Sequence, residues 1–272
     1  MGLVFASIAP HGSLAIAEWC TPEQRPLAAR TRAAFEDLGR SFDAASPEVT
    51  IVFTPHHLHV EGHMAVVVAG AMEGVLDGGA SRVQLYAAVD RRLARAVLGA
   101  IADARIPVVA ASYGGNDQPT AVMPMDWATQ IPIHFMGGER VPIVVVAPAR
   151  DLAPDMHVAA GRAVAAAAEA SGRRVALIAS CDHGHAHDPH GPYGYAPQAK
   201  EFDDRVVDLV RRNALAELLR FEPAFVAAAK ADSYWQMLML HGALGDRWRA
   251  ELLSYEAPTY FGMLCAAFMP PD

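Results

Sequence analysis

The sequence is poor in the features that mark several protein classes. It has three cysteines in 272 residues, Cys20, Cys181 and Cys265. They are odd in number, lie far apart and form no CxxC pair. That argues against a disulfide framework or a zinc knuckle and fits a reducing, cytoplasmic setting. Basic clusters are also missing. Arg91-Arg92, Arg173-Arg174 and Arg211-Arg212 are isolated pairs, and the net charge is −8. Binding to a phosphate backbone needs the opposite balance, so no nucleic-acid partner is expected. The pairs read as solvated helix faces. Every long apolar run is broken by charge or glycine. The segment Gly2–Pro10 has no basic flank and is too short for a membrane span or a signal-peptide core. No repeat, low-complexity linker or composition break divides the chain, so a single domain over 1–272 is expected.

What is present is core material and histidine. Hydrophobic residues make up 53% and charged residues 19%. Short apolar runs at Leu3–Ala9, Val49–Thr54, Ile106–Ala111, Val141–Ala147 and Arg174–Ala179 read as buried strands, and Arg82–Ala88 as a further one. Helical spacing is read at Glu23–Gly39, stopped by the glycine, at Asp90–Ala104 and at Met156–Gly172. The last quarter reads as helices at Lys200–Leu219, Pro223–Ala231, Ser233–Leu244 and Asp246–Leu253. A returning strand is expected within Thr259–Phe268. Continuous apolar strands alternating with helices imply an α/β fold. It should have three layers, α/β/α, around a central, mostly parallel mixed sheet.

There are twelve histidines, and they collect where strands end. His11 follows the first strand. His56, His57, His59 and His63 follow the strand ending at Thr54. His183, His185, His187 and His190 follow the strand ending at Ala179. In open α/β sheets ligands gather at the carboxyl strand ends. Imidazole suits iron, zinc, copper or nickel, and a face of two histidines and one carboxylate suits non-haem Fe(II). The alternation of His183, His185 and His187 would turn all three to one side of an extended segment, with Asp182 and Asp188 as partners for His185. Gly12-Ser13 lacks the G-x-S-x-G context of a nucleophile elbow. Ser112–Asn116 is turn-rich but not a phosphate-binding P-loop. Cys181 reads as packing, with Met237, Met239 and Trp235 in the core or a pocket wall.

Several segments, in order along nearly the whole chain, carry a family likeness. They are Ala9-Pro10-His11-Gly12, Thr54-Pro55-His56-His57, Ser112-Tyr113-Gly114, Met125-Asp126-Trp127-Ala128-Thr129, Ser180-Cys181-Asp182-His183-Gly184-His185, His241-Gly242-Ala243-Leu244 and Tyr255-Glu256-Ala257-Pro258. The fifth is similar to an S-G-D-L-S-H segment. Together they resemble the class III extradiol ring-cleavage dioxygenases, the family that includes the protocatechuate 4,5-dioxygenase catalytic subunit. The resemblance implies Fe(II), with His11 as one ligand and either His56 or His57 as the second. The third ligand would be a carboxylate, Asp232 or Glu256. The family's glutamate position holds Ser233 here, and Asp232 beside it could instead cap a helix. His185 would be the acid/base. Trp127 stands where many members have a histidine, a role that would pass to His134 or His187 beside the substrate. Gly191–Tyr195 would form a lid, with Tyr193 on the substrate. The implied reaction is O₂-dependent cleavage of a catechol-type or 2-aminophenol-type ring. A zinc-dependent hydrolase and a non-catalytic metal-binding member are the alternatives. The implied partners are a small aromatic substrate and O₂, a second copy of the chain as a homodimer, and a small accessory subunit as in some relatives.

Overall fold

The computed structural model describes residues 2–78, 81–113 and 118–271. The first third forms β1 (Leu3–Ala9), α1 (Ala29–Ala45), β2 (Val49–Phe53), β3 (Met64–Val67), β4 (Ala71–Gly78) and β5 (Ser81–Ala88). The middle forms α2 (Arg91–Asp103), β6 (Val108–Ala111), β7 (Val122–Pro124), α3 (Trp127–Phe135), β8 (Ile143–Ala147), α4 (Pro154–Ala170) and β9 (Val175–Ser180). The last third forms α5 (Pro197–Arg211), α6 (Pro223–Ala228), α7 (Tyr234–Leu244), β10 (Arg249–Glu256) and β11 (Met263–Met269). No helix among the described residues is long and apolar enough to cross a membrane.

The apolar runs pair with one another. The large sheet has the order β10-β11-β1-β9-β2-β8-β3-β6. The four central strands β1, β9, β2 and β8 are mutually parallel. β11 runs antiparallel to β1, and β3 antiparallel to β8. Every residue of β2, β8 and β9 is buried, as expected of strands covered on both faces. α1 and α3 pack together against one face, and α2, α4 and α7 against the other. The fold is therefore α/β with three layers and a mostly parallel mixed sheet.

The α4–α7 crossing is unusually close, and glycine permits it. A Cβ on Gly161 would lie 1.9 Å from the Met239 carbonyl oxygen, and one on Gly242 2.0 Å from that of Val158. Side chains there would force the helices apart. The close fit fixes α7 over the sheet, and with it the loop before α7 that carries Asp232.

Some expectations are corrected. Asp246–Leu253 is not a helix, because β10 pairs with β11 along this stretch with a register shift between Leu252 and Ser254. Gly39 does not stop α1, which begins at Ala29 and runs on to Ala45. A Cβ on Gly39 would meet the Phe135 carbonyl oxygen at 2.8 Å, so the glycine seats α1 on α3. α5 ends at Arg211, and Leu215–Arg220 is a separate 3-10 stretch. α3 and the small sheet β5-β4-β7 were not expected. Gly114–Asn116 of the turn-rich loop lies outside the described residues.

Candidate metal centre

The parallel strands deliver the chemistry to one edge. Ala9 is in register with Ser180, and Phe53 with both Ala179 and Val146. The loops after β1, β2, β8 and β9 therefore start side by side, carrying His11, His56, Arg150 and the Asp182–His185 segment. Asp232 arrives from the loop between α6 and α7. The Gln236 side-chain amide secures that loop, donating to the carbonyls of Asp232 at 2.9 Å and Ser180 at 3.1 Å. Ser233, not Asp232, holds the cap position of α7. The Asp232 carboxylate is free of capping and faces the histidines.

His11 Nε2 and His56 Nε2 each lie 3.3 Å from Asp232 Oδ2. The three could together hold a metal ion, their ligand atoms lying within 4.8 Å of one another. The proton inventory sharpens this. The Ser180 hydroxyl donates to the Ala128 carbonyl at 2.5 Å, so toward His11 Nδ1, 2.9 Å away, it can only accept. Nδ1 therefore carries the ring proton, and a neutral His11 has a bare lone pair on Nε2. That lone pair faces Asp232 Oδ2 and, at 3.5 Å, Asp182 Oδ2. His11 Nε2 and Asp232 Oδ2 are both buried without a hydrogen-bond partner. Acceptors turned on one another in a buried site require a cation between them.

Two cations satisfy that requirement, a proton or a metal. Burial pulls the His11 pKa down, but Asp182 and Asp232 outweigh it, and the net shift is upward. Burial pushes the Asp232 carboxyl up, but His11, His56 and Arg150 hold it well below the usual range. Without metal, a proton on His11 fills the gap. Metal binding displaces it. Two imidazoles and a carboxylate fit a divalent ion of the iron or zinc kind.

The surrounding residues orient this set. Arg150 forms an ion pair with Asp232 and lies 5.0 Å over the Trp235 ring. Asp182 accepts the His11 backbone N–H at 3.0 Å, so it serves His11 and not His185. Asp126 caps α3, accepting from the Thr129 N–H, and also accepts from Thr54 Oγ1 at 2.7 Å. This tie joins the end of β2 to α3 and sets Trp127 on His56, with ring centroids 4.4 Å apart. Cys181 is buried, and burial together with Asp232 and Asp182 pushes its thiol well up. It is a packing residue, not a nucleophile.

His185 stands beside this set. Its Nδ1 lies 2.7 Å from the His183 carbonyl oxygen and 3.1 Å from that of Lys230. Carbonyls only accept, so Nδ1 is the protonated nitrogen and Nε2 is the free base. The ring stacks on Phe261 at 5.3 Å and meets Tyr193 edge-on at 5.8 Å. A cleft of about 300 Å³ runs from here to His11 and His56, walled by Trp19, Trp127, Tyr193, Tyr260 and Phe261.

Other residues singled out in the sequence go elsewhere. His57 Nε2 bonds the Pro124 carbonyl at 3.1 Å and stays outside the cluster. Glu256 accepts from the backbone N–H and hydroxyl of Thr31 at 2.7 and 2.8 Å, tying β10 to α1. His134 is exposed on α3 and does not line the cleft. His183, His185 and His187 do not share a side. His183 is buried with Nδ1 2.9 Å from Ser233 Oγ, and His187 Nε2 lies 2.9 Å from Asp203 Oδ2. Asp188 accepts the His190 N–H. Tyr193 lines the cleft and is 56% exposed. Asp182, Arg150, Gln236 and Asp203 were not singled out for these positions. Arg150 sits three residues past β8, so the strand-end rule that found the histidines would have reached it. Asp203, within an amphipathic helix, gives no such signal.

Comparison with known proteins agrees with this architecture. Over residues 6–268 the chain matches the family model described as the catalytic LigB subunit of aromatic ring-opening dioxygenase. It is 22% identical over 250 residues to protein CA_C1420 of Clostridium acetobutylicum, a match covering 91% of this chain and 53% of that protein. The chain thus spans about half the length of this curated relative. The crystal structure of the uncharacterized protein JW3007 from Escherichia coli K12 superposes with a TM-score of 0.63 at 16% identity, covering 97% of this chain and 99% of that one. That likeness shows a shared fold. The chain belongs to the family of the catalytic LigB subunit of aromatic ring-opening dioxygenases.

Proposed function

We propose that this chain opens a catechol-type or 2-aminophenol-type ring with O₂ and uses Fe(II) to do so. His11, His56 and Asp232 would hold the ion. The observation that carries this reading is their convergence, with His11 Nε2 and Asp232 Oδ2 buried, face to face and neither in a hydrogen bond, so that a cation is needed between them. When bound, Fe(II) supplies a Lewis acid and a route for electrons between ring and O₂.

The chain's own residues do the rest. Trp19, Trp127, Tyr260 and Phe261 form an apolar slot for a flat ring beside the centre. His185 Nε2 accepts a proton from a ring hydroxyl and returns it later in the cycle. Its tautomer is fixed in advance by the two carbonyls on Nδ1. Imidazole suits both transfers because one ring nitrogen can take up and release a proton while the other keeps its own. Phe261 holds the imidazole flat against the cleft wall, and Tyr193 closes the rim.

Metal analysis of anaerobically purified protein tests the reading, combined with O₂ uptake across a panel of catechols and 2-aminophenols. Stoichiometric iron with substrate-dependent O₂ uptake and a yellow product is the expected result. Zinc without O₂ uptake would overturn it in favour of a hydrolase. His185→Ala should keep its iron and lose about 100-fold or more in turnover. Loss of iron in that variant would make His185 a ligand and contradict the role given to it.

A further inference from the structure

The two histidines of the candidate centre are held by different means. His11 is buried, and Ser180 Oγ takes its Nδ1 proton at 2.9 Å. His56 has a side chain 27% exposed, and its Nδ1 makes no hydrogen bond among the described residues. Water can satisfy that nitrogen but gives the ring no direction. A histidine that binds metal almost always donates its second ring N–H to a fixed acceptor, which sets its tautomer and its tilt. His56 has an indole instead. The Trp127 ring lies on it with centroids 4.4 Å apart and planes 25° from parallel. Trp127 is 48% exposed, so burial in the core does not account for its place.

Both halves of this stack hang on one link. The His56 backbone N–H donates to Thr54 Oγ1 at 3.4 Å, and Thr54 Oγ1 donates to Asp126 Oδ1 at 2.7 Å. Asp126 also accepts the Thr129 N–H at 2.9 Å and the Thr129 hydroxyl at 2.8 Å. That cap starts α3 with Trp127 as its first residue. Thr54 and Asp126 thus place the backbones of the two rings relative to each other, and neither side chain lines the cleft. A metal on Nε2 would draw charge out of the imidazole. The face of an indole attracts an electron-poor ring more strongly than a neutral one. The stack is then stronger with the ion bound than without it, which is the condition for it to add to affinity.

We propose that Trp127 is the positioning residue for His56. Its indole, in place of a hydrogen bond, holds the imidazole with Nε2 toward Asp232 and so sets the affinity of the centre for a divalent ion. The histidine that many family members carry at this place is replaced here by a ring that cannot transfer a proton but can hold a ligand. The proposal rests on the assignment of the ion to His11, His56 and Asp232, and not on the ring-opening reaction.

Two measurements separate the stack from the ion. NMR of metal-free protein reads the stack alone. The His56 ring protons, assigned with His56→Gln, should lie upfield under the indole ring current and return toward ordinary imidazole positions in Trp127→Leu. Anaerobic calorimetric titration with Fe(II) reads the consequence. Trp127→Leu keeps an apolar side chain without a ring and should weaken Fe(II) binding about tenfold. Trp127→Phe restores a ring and should recover most of that loss. Wild-type affinity in Trp127→Leu would overturn the proposal. So would equal losses in Trp127→Leu and Trp127→Phe, or His56 ring protons at ordinary positions in the wild type. If the wild type binds no ion, the metal assignment fails first, and the NMR measurement still decides whether the indole holds the ring.

Discussion

Two histidine–aspartate clusters flank the 180–197 loop, and they are built from the same residue types. Around Asp203 every acceptor has its donor. Oδ1 takes the Gly184 N–H at 2.8 Å, and Oδ2 takes His187 Nε2–H at 2.9 Å and the Tyr255 hydroxyl at 2.7 Å. Around Asp232 the account does not close. Two imidazole nitrogens face Oδ2 at 3.3 Å, and both Oδ2 and His11 Nε2 lack a partner. Composition and strand-end position do not separate these clusters. Proton counting does. The satisfied cluster is a clamp that brackets His185 from both sides, at Gly184 and His187. The unsatisfied one is a site for a cation.

The largest effect expected from this contrast is at Asp232. Asp232→Ala should leave the protein folded by circular dichroism yet abolish iron loading, read as metal per chain after anaerobic reconstitution, and abolish turnover with it. Metal retained in that variant would erase the distinction between the clusters.

Asp203→Ala should do the reverse. It strands the buried Gly184 N–H and the half-buried His187 and Tyr255 donors, each costing at most about 1–3 kcal/mol, so urea unfolding should show a loss of about 3 kcal/mol. Metal content should stay stoichiometric. A metal-free Asp203 variant of normal stability would move the metal to the wrong cluster.

A third histidine separates burial from charge. His157 on α4 is buried and donates from Nδ1 to the Ala153 carbonyl at 3.1 Å, and the pull of Asp151 and Asp155 on its ring is weaker than the effect of burial. Burial lowers its pKa, whereas that of His11 is raised. Above about pH 6.5 His157 is neutral folded and unfolded. As the pH falls below that value the unfolded chain takes a proton that the native site refuses, so stability drops until the folded pKa is passed. The slope is at most about 1.4 kcal/mol per pH unit for one such group. His157→Gln should flatten the pH 5–7 limb of the unfolding free energy by about that amount, and an unchanged slope would count against the assignment.

The smallest effect is expected at Glu256. Glu256→Gln keeps an acceptor for Thr31 and should cost about 1 kcal/mol or less in thermal unfolding, with no change in iron loading.

The sequence made the central strands legible because their neighbours bury them on both faces, leaving unbroken apolar runs such as Ile143–Ala147. It hid β10, where Ala250-Glu251-Leu252-Leu253 favours a helix and only pairing with β11 overrides that preference. It hid α3 as well, because Pro132 lies inside the helix and argues against one. In the small sheet, Gly74 breaks the β4 pattern. For the candidate site, strand-end histidines could be read directly, since a strand fixes where its loop begins. The choices between His56 and His57, and between Asp232 and Glu256, could not. Each depends on which way a loop turns, and a turn by one residue sends His57 to the Pro124 carbonyl and leaves His56 over Asp232. Arg150 could have been reached by the same strand-end rule, whereas Asp203 sits within an amphipathic helix and no local pattern announces it.

Anaerobic calorimetric titration of metal-free protein with Fe(II), wild type beside His56→Ala and His57→Ala, tests the central claim most directly. The geometry predicts a single ion per chain in the wild type, retained in His57→Ala and lost in His56→Ala. No stoichiometric binding by the wild type, or loss in His57→Ala with retention in His56→Ala, would contradict it.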